Sequence, residues 1–401
     1  MTSVVSDRSP SPEGRPRIDR HAVVAARARR IAAVRQAMAA RGIDAVLLSH
    51  GADLPWLTGY RAMPLERLTM LVLPVVGDPV LVVPELEAPR VPAADGLFDL
   101  LAWGETQEPV ALVAQIVCSA SGGRAGSGLR LAISERAWAA TVVALQSALP
   151  GASWTLSTDV TGEIRAVKDS AELAALRAAA AAADVVAEAI HGGQVAMVGR
   201  SEAEVSADIG RRLIDAGHDQ VNFAIVASGP NGASPHHEAG SRRLAVGDVV
   251  VCDFGGSLHV GEDVGYCSDI TRTVVLGSPD PEVAGMYEVL QAAHDAAVAA
   301  VAPGVRAESV DEAARRVIDG AGLGDRFIHR TGHGIGLEEH EAPYIIAGND
   351  QILVPGHAFS VEPGIYLPGR FGMRLEDIVT VTDCGVEVLN RADRRLVVVD
   401  G

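Results

Sequence analysis

His329-Arg330-Thr331-Gly332-His333-Gly334-Ile335-Gly336-Leu337-Glu338-Glu339-His340-Glu341 lies near the start of a stretch, 327–376, that decides how this chain is read. Val361-Glu362-Pro363-Gly364 and Met373-Arg374-Leu375-Glu376-Asp377 follow it. Each run closes a short apolar or extended segment with a His or a carboxylate flanked by Gly or Arg. Upstream, Val249-Val250-Val251-Cys252-Asp253-Phe254-Gly255 and Cys267-Ser268-Asp269-Ile270-Thr271-Arg272-Thr273 add two aspartates in the same manner. One His and four carboxylates, each beside a β-like run, make a ligand set for a pair of divalent metal ions.

Such a set is hard and oxygen-rich, which suits Mn²⁺ best, with Co²⁺ or Zn²⁺ as substitutes. Five protein ligands are too many for one open catalytic ion. They suit two ions about 3.5–4 Å apart that share carboxylates. Taken singly, an Asp ending a strand is usually a turn residue, and Gly-His-Gly is an ordinary loop. The joint pattern is what carries weight.

The rest of the composition narrows the class. A chain of 401 residues is long enough for two ordinary domains or one large one. With 48% hydrophobic and 21% charged residues it can build a full core. No apolar run approaches the roughly 20 residues that span a bilayer. Residues 1–18 mix Ser, Pro, Asp, Glu and Arg without an apolar centre, so a floppy tail is expected there and no signal peptide. A net charge of −17 argues against general nucleic-acid binding. Cys118, Cys252, Cys267 and Cys384 lie far apart with no CxxC pair, which fits a reducing cytoplasm. Lys168 is the only lysine, and it follows neither a GxxxxG loop nor a buried apolar run. Schiff-base and P-loop chemistry are thereby set aside.

Taken in order, the chain predicts an amphipathic helix over Arg20 to Arg41 stopped by Gly42, then a buried strand over Ile43 to Ser49. Leu68 to Val76 and Pro79 to Val83 flank Gly77-Asp78 as adjacent strands. A strand over Leu129 to Ile133 and a helix over Arg136 to Leu149 complete an α/β amino-terminal domain, with Ser119 to Ser127 as a surface loop. A change follows near Thr155 to Arg165 and places the domain boundary at 160/161. Beyond it come a helix over Ala166 to Ile190, with Leu173, Leu176, Ala180 and Val185 as its packing face, and another over Ser201 to Ala216. Strands at Val221 to Ala227, Asp248 to Phe254 and Thr273 to Leu276 precede helices at Pro281 to Val301 and Ser309 to Gly320. From His329 onward the chain reads as mostly extended.

From about Ala166 to the end, this chain resembles the catalytic domain of the pita-bread metallopeptidases: aminopeptidase P, prolidase and methionine aminopeptidase. The matching runs are Asp253-Phe254-Gly255, Ser268 to Thr273, Gly332 to Leu337, Val361 to Tyr366 and Arg374 to Asp377. The first 155 or so residues more loosely resemble the family's creatinase-like amino-terminal domain, best at Trp56-Leu57-Thr58-Gly59-Tyr60. The resemblance implies an α/β amino-terminal domain (19–160) plus an α+β pita-bread catalytic domain (161–401). It makes Asp253, Asp269, His333, Glu362 and Glu376 the metal ligands. One departure stands out. Asp253 and Asp269 are sixteen positions apart, a few more than is usual in the family, with the extra residues in a lengthened hairpin tip over Ser257 to Val264. His259, Glu262 and Asp263 sit in that tip as competing ligand types, and Asp263 in place of Asp253 is the alternative that would change the set.

By the same resemblance His236, His340 and Glu362 are catalytic, and His329, His236, His340 and Arg374 face the substrate. Arg374, two before Glu376, shares its side of a strand and would anchor a metal-binding carboxylate. His237 is read as structural, and Arg370 as a surface arginine. The implied reaction is hydrolysis of the bond before proline in dipeptides or short peptides, by a homodimer, with no nucleic-acid or membrane partner. A dipeptidase is preferred to aminopeptidase P because the segment Ile365 to Gly372 is short. A creatinase-like amidinohydrolase or a non-catalytic peptide-binding module is expected to lack the ligands. Methionine aminopeptidase is disfavoured by the domain that precedes the catalytic one.

Overall fold

Gly42 takes φ +64°, a left-handed turn that ends the first helix, α1 (Arg20–Arg41), where the sequence places its stop. The computed structural model describes residues 20–124, 128–260 and 264–399. The expected tail over 1–18, the end of the Ser119 to Ser127 loop, and Glu262 and Asp263 lie outside those residues. After α1 come β1 (Ala45–Leu48), α2 (Asp53–Thr58), β2 (Met70–Pro74) and β3 (Val80–Pro84). Then β4 (Asp99–Trp103), α3 (Pro109–Ala120), β5 (Arg130–Ile133), α4 (Ala139–Ala148), β6 (Ser153–Leu156) and α5 (Thr158–Ala166) complete the first half. The strands form one six-stranded sheet in the order β4-β3-β2-β1-β5-β6. Ile31, Val34 and Met38 of α1 and Val160 of α5 pack with Val46 and Leu48 on one of its faces. Val113 and Val117 of α3 and Leu145 of α4 pack with Leu47 and Val72 on the other. Alternate residues of each strand thus serve two cores, as a sheet covered on both sides requires.

The second half runs through α6 (Ser170–His191), α7 (Glu202–Asp215), β7 (Gln220–Ser228), β8 (Val249–His259), β9 (Gly265–Cys267) and β10 (Ile270–Leu276). Next come α8 (Pro281–Ala300), α9 (Ala307–Gly320), β11 (Gly332–Gly334), β12 (Glu341–Ile345) and β13 (Ala358–Val361). Last are β14 (Gly364–Leu367), β15 (Phe371–Arg374), β16 (Asp377–Thr382), β17 (Gly385–Val388) and β18 (Val397–Val399). One sheet, β18-β10-β8-β7 with β9 beside β8, packs against α6 and α7. A second, β12-β11-β13-β16-β17, and the β14–β15 hairpin pack against α8 and α9. This is the pita-bread arrangement of two sheets with helices outside. On α6 the expected packing face holds at Leu173, Leu176 and Ala180 but not at Val185, which is exposed while Val186 beside it is buried. Of the expected hairpin tip over Ser257 to Val264, Ser257 to His259 belong to β8 and pair with β9.

Charged contacts close the seam between the halves. Arg165 Nη1 donates to Asp53 (3.0 Å), and its Nη2 donates to Glu338 (2.9 Å) and Glu341. Lys168 Nζ donates to Glu341 at 2.7 Å. Glu172, at the start of α6, accepts from Arg30 of α1 (3.0 Å), the Trp56 indole of α2 (3.0 Å) and the Tyr266 hydroxyl (2.7 Å). Buried carboxylates therefore all have cationic or hydrogen-bonding partners at this seam, as burial demands.

Candidate metal centre

In the antiparallel pair β8–β10, Asp253 stands opposite Thr271, and Asp269 immediately precedes β10. The second sheet supplies His333 from β11 and Glu362 from the residue after β13, while Glu376 lies between β15 and β16. All five side chains line one cavity of about 920 Å³. Ligand atoms of Asp269, His333 and Glu376 lie within 4.8 Å of one another. His333 Nε2 is 3.1 Å from Glu362 and 3.8 Å from Asp269. His259 is elsewhere, facing Asp219 at 3.0 Å and Arg61 at 2.9 Å.

The carboxylates are held in a common fashion. Arg374 Nη2 donates to Asp253 Oδ2, Thr271 Oγ1 donates to Glu376 Oε2 (2.7 Å), and Ser360 Oγ donates to Glu362 Oε1 (3.1 Å). Asp253 Oδ1, Asp269 Oδ1 and Glu376 Oε1 are buried without a hydrogen-bond partner among the described residues. Leaving such oxygens bare is costly unless a cation meets them. The imidazole is prepared in the same sense. His333 Nδ1–H donates to the Gly334 carbonyl (3.2 Å), which leaves Nε2 as the ring atom that faces the carboxylates. Burial, then the charges of Glu376, Asp253 and Glu362, push the Asp269 carboxyl well above its usual range. Burial, then Glu362 and Asp253, do the same to Glu376. Burial also pushes Glu362 upward, but His333 beside it prevails and holds it at about 2. These residues fit a pair of hard divalent ions: oxygen-rich, mutually repelling, and with three of the four carboxylates anchored from behind.

Arg374 does anchor a carboxylate, that of Asp253, because β15 runs beside β8; the strand face expected to join it to Glu376 is absent, since β15 ends at Arg374. Its remaining donors reach Thr271 Oγ1 (3.0 Å), the Tyr366 hydroxyl (2.8 Å) and the Pro235 carbonyl (3.3 Å). Arg370 is on the surface, paired with Glu282 at 2.7 Å. His236, His329 and His340 line the same cavity as the five candidate ligands. The His340 ring lies 4.0 Å from that of His333, and burial, then His333 and Arg330, bring its pKa to about 4. His329 Nδ1–H donates to the Arg330 carbonyl (2.7 Å), so its Nε2 accepts from the Tyr366 hydroxyl (2.9 Å). Burial lowers the pKa of His329. Tyr366, Thr271 and Ser360 were given no role by sequence reasoning. Tyr366 and Thr271 lie inside the quoted runs, but only the fold reveals what they touch.

Four arginines line the cavity: Arg136, Arg315, Arg330 and Arg374. Arg136 faces Glu338 at 2.5 Å, Arg315 faces Asp311 at 2.7 Å, and Arg374 holds Asp253. Arg330 has no carboxylate partner among the described residues and stacks on the Tyr344 ring, 4.6 Å from its centroid.

Comparison with known proteins agrees with this architecture. The profile of Metallopeptidase family M24 matches residues 174–383, and that of the Creatinase/Prolidase N-terminal domain matches 30–167. The chain is 45% identical over 375 residues to the "Probable dipeptidase PepE" of Mycobacterium tuberculosis, covering 93% of this chain and 96% of that one. The crystal structure of dipeptidase PepE from Mycobacterium ulcerans superimposes with a TM-score of 0.87 at 45% identity, over 96% of this chain and all of that one (100%). A recombinant prolidase from Thermococcus sibiricus gives a TM-score of 0.85 at 36% identity, over 92% of this chain and 98% of that one.

Proposed function

The chain belongs to metallopeptidase family M24, and from that premise we propose that it is an Xaa-Pro dipeptidase with two divalent metal ions held by Asp253, Asp269, His333, Glu362 and Glu376. The observation that carries the proposal is the set of buried carboxylate oxygens with no donor to meet them. The printed names of the relatives, dipeptidase and prolidase, support the substrate class. Arg330 supports the dipeptide in particular. A dipeptide has a free carboxylate on its leaving half, and a guanidinium that stacks on Tyr344 and has no carboxylate partner among the described residues is a fitting receptor for it.

Two ions, manganese foremost and cobalt or zinc as substitutes, would supply Lewis acidity and bring the pKa of water from 15.7 towards about 7. Arg374, Thr271 and Ser360 fix the outer oxygens of three carboxylates, so the inner oxygens are aimed before substrate arrives. Glu362, whose Oε1 is engaged by Ser360, takes the proton of the attacking water on Oε2. Water oxygen bonds to the carbonyl carbon, and His236 and His340 orient the peptide and hydrogen-bond the developing oxyanion. The C–N bond then breaks as the proton passes from Glu362 to the proline nitrogen. His329, locked between the Arg330 carbonyl and Tyr366, forms a fixed wall of the cavity.

The protein is assigned to the cytoplasm because its four cysteines are all free thiols. No described helix is long and apolar enough to cross a membrane. A homodimer formed through the amino-terminal domain completes the proposal, and sedimentation would test it. The deciding assay compares an Xaa-Pro dipeptide with an Xaa-Pro-Yaa tripeptide, with and without added Mn²⁺. Metal-dependent cleavage of the dipeptide is expected. Cleavage of the tripeptide alone would overturn the dipeptidase and favour aminopeptidase P.

A further inference from the structure

His236 stands on a segment with almost no regular structure of its own. After β7 ends at Ser228, one short 3-10 turn, Gly229–Ala233, precedes an irregular run to residue 243. The neighbouring His237 turns away from the cavity, and its Nε2–H donates to Glu202 at 2.8 Å. Glu202 is the first residue of α7 and is completely buried. It gathers the whole segment. Oε1 accepts from the Ser228 amide (2.8 Å) and hydroxyl (2.7 Å), both oxygens accept from Asn231 Nδ2 (3.1 Å each), and Oε2 also accepts from the Gly240 amide (3.3 Å). Burial alone would raise its pKa, but the donors from Ser228, His237 and Asn231 outweigh burial and hold it low.

A buried carboxylate is costly unless every lone pair is met, and here the donors come from both ends and the middle of one loop. In the arrangement that meets Glu202 with these donors, His236 lines the cavity of the five candidate ligands. A helix residue is a rigid base for such an anchor. We propose that Glu202 is the positioning residue for His236: it fixes the 228–240 segment on the start of α7 so that the His236 imidazole stands in the cavity.

The proposal rests on the peptidase function above, and the two fail separately: turnover by the parent enzyme tests that function, while ratios among variants test this one. Glu202→Ala, His236→Ala and the double variant are compared with the parent on an Xaa-Pro dipeptide at saturating Mn²⁺. A shift of about 1 Å in a catalytic group can cost on the order of 10²-fold, so Glu202→Ala should lower kcat by about that factor. The double variant should then be no slower than His236→Ala. Metal content of Glu202→Ala should equal that of the parent. In the metal-free protein the His236 ring resonance, identified by its loss in His236→Ala, should move or broaden in Glu202→Ala. Should Glu202→Ala fail to fold, His237→Ala, which removes one donor and keeps the carboxylate, goes through the same cycle. The idea is overturned if the double variant is slower than His236→Ala by the factor that separates Glu202→Ala from the parent, or if the His236 resonance is unchanged.

Discussion

Arg330 is the residue on which dipeptide selectivity should turn. Its neighbour His329 is tied to Tyr366, yet its own guanidinium stacks on the Tyr344 ring and meets no carboxylate among the described residues. A charged hydrogen bond contributes about 1.5–3 kcal/mol. Arg330→Ala should therefore raise KM for an Xaa-Pro dipeptide by roughly 10- to 150-fold, leave kcat near the parent value, and scarcely affect a peptide amidated at its end. An equal loss on both peptides would show that Arg330 does not read the carboxylate. Gly332 is a different kind of residue. A Cβ there would sit 1.8 Å from the Ser360 carbonyl oxygen, so β11 can approach β13 only without a side chain. Gly332→Ala should cost about 1–3 kcal/mol and weaken Mn²⁺ binding, because His333 moves with its strand. Thermal melts with and without the ion check both parts, and parental values would show that the strand spacing tolerates a methyl group. The sequence displayed Gly332 and Arg330 plainly, but neither the strand pressed against the one nor the aromatic ring under the other can be seen without the fold.

At the scale of elements, the turn between β11 and β12 carries His340 towards the cavity and Glu341 towards the amino-terminal half. Lys168 and Arg165 hold the Glu341 carboxyl below its usual range, although burial pushes the other way. Its contribution to stability is thus complete above the unfolded value of about 4.3 and is lost as pH falls through the lower folded value. Glu338, raised by burial, contributes the opposite slope, so the parent must be compared with a variant and not judged alone. Glu341→Gln leaves Lys168 and Arg165 buried with too little negative charge and should lower stability at pH 7 by about 3–5 kcal/mol. The gap should narrow below about pH 4, measured by denaturant titration. A gap constant across that range would show that Glu341 ionises alike in both states. Sequence periodicity found most of the helices and central strands, since α1, α7, α8 and α9 begin and end within two residues of the predicted limits. It did not find β4, which lies at a sheet edge with Asp99, Leu100 and Ala102 exposed, or α5, which runs over 158–166 and so across the expected domain boundary. An edge strand and a short connecting helix take their conformation from neighbours, and local pattern carries little of that.

For the molecule as a whole, the centre stores repulsion that a bound cation relieves. Chelation of the metal should lower the melting temperature, and Mn²⁺ should restore it; at a free concentration 1,000 times Kd one bound ion contributes about 4.1 kcal/mol. Asp269→Asn should invert the pattern, with a metal-free form more stable than the metal-free parent and little response to the ion. Calorimetry on both proteins decides it, and a chelated parent that melts with the untreated one would mean that the centre adds nothing to stability. The five candidate ligands stood out in the sequence because their neighbours are distinctive, and the fold brings all five to one cavity. The two-half arrangement that holds them was legible mainly through resemblance, since Arg165, Lys168 and Glu341 meet only after both halves have folded. Lys168 itself has a practical consequence. As the chain's sole lysine, nearly inaccessible at 5% exposure and clasped by Glu341, it is shielded from acylating reagents for as long as the halves stay together. Its labelling by an amine-selective probe would clock how often the seam parts.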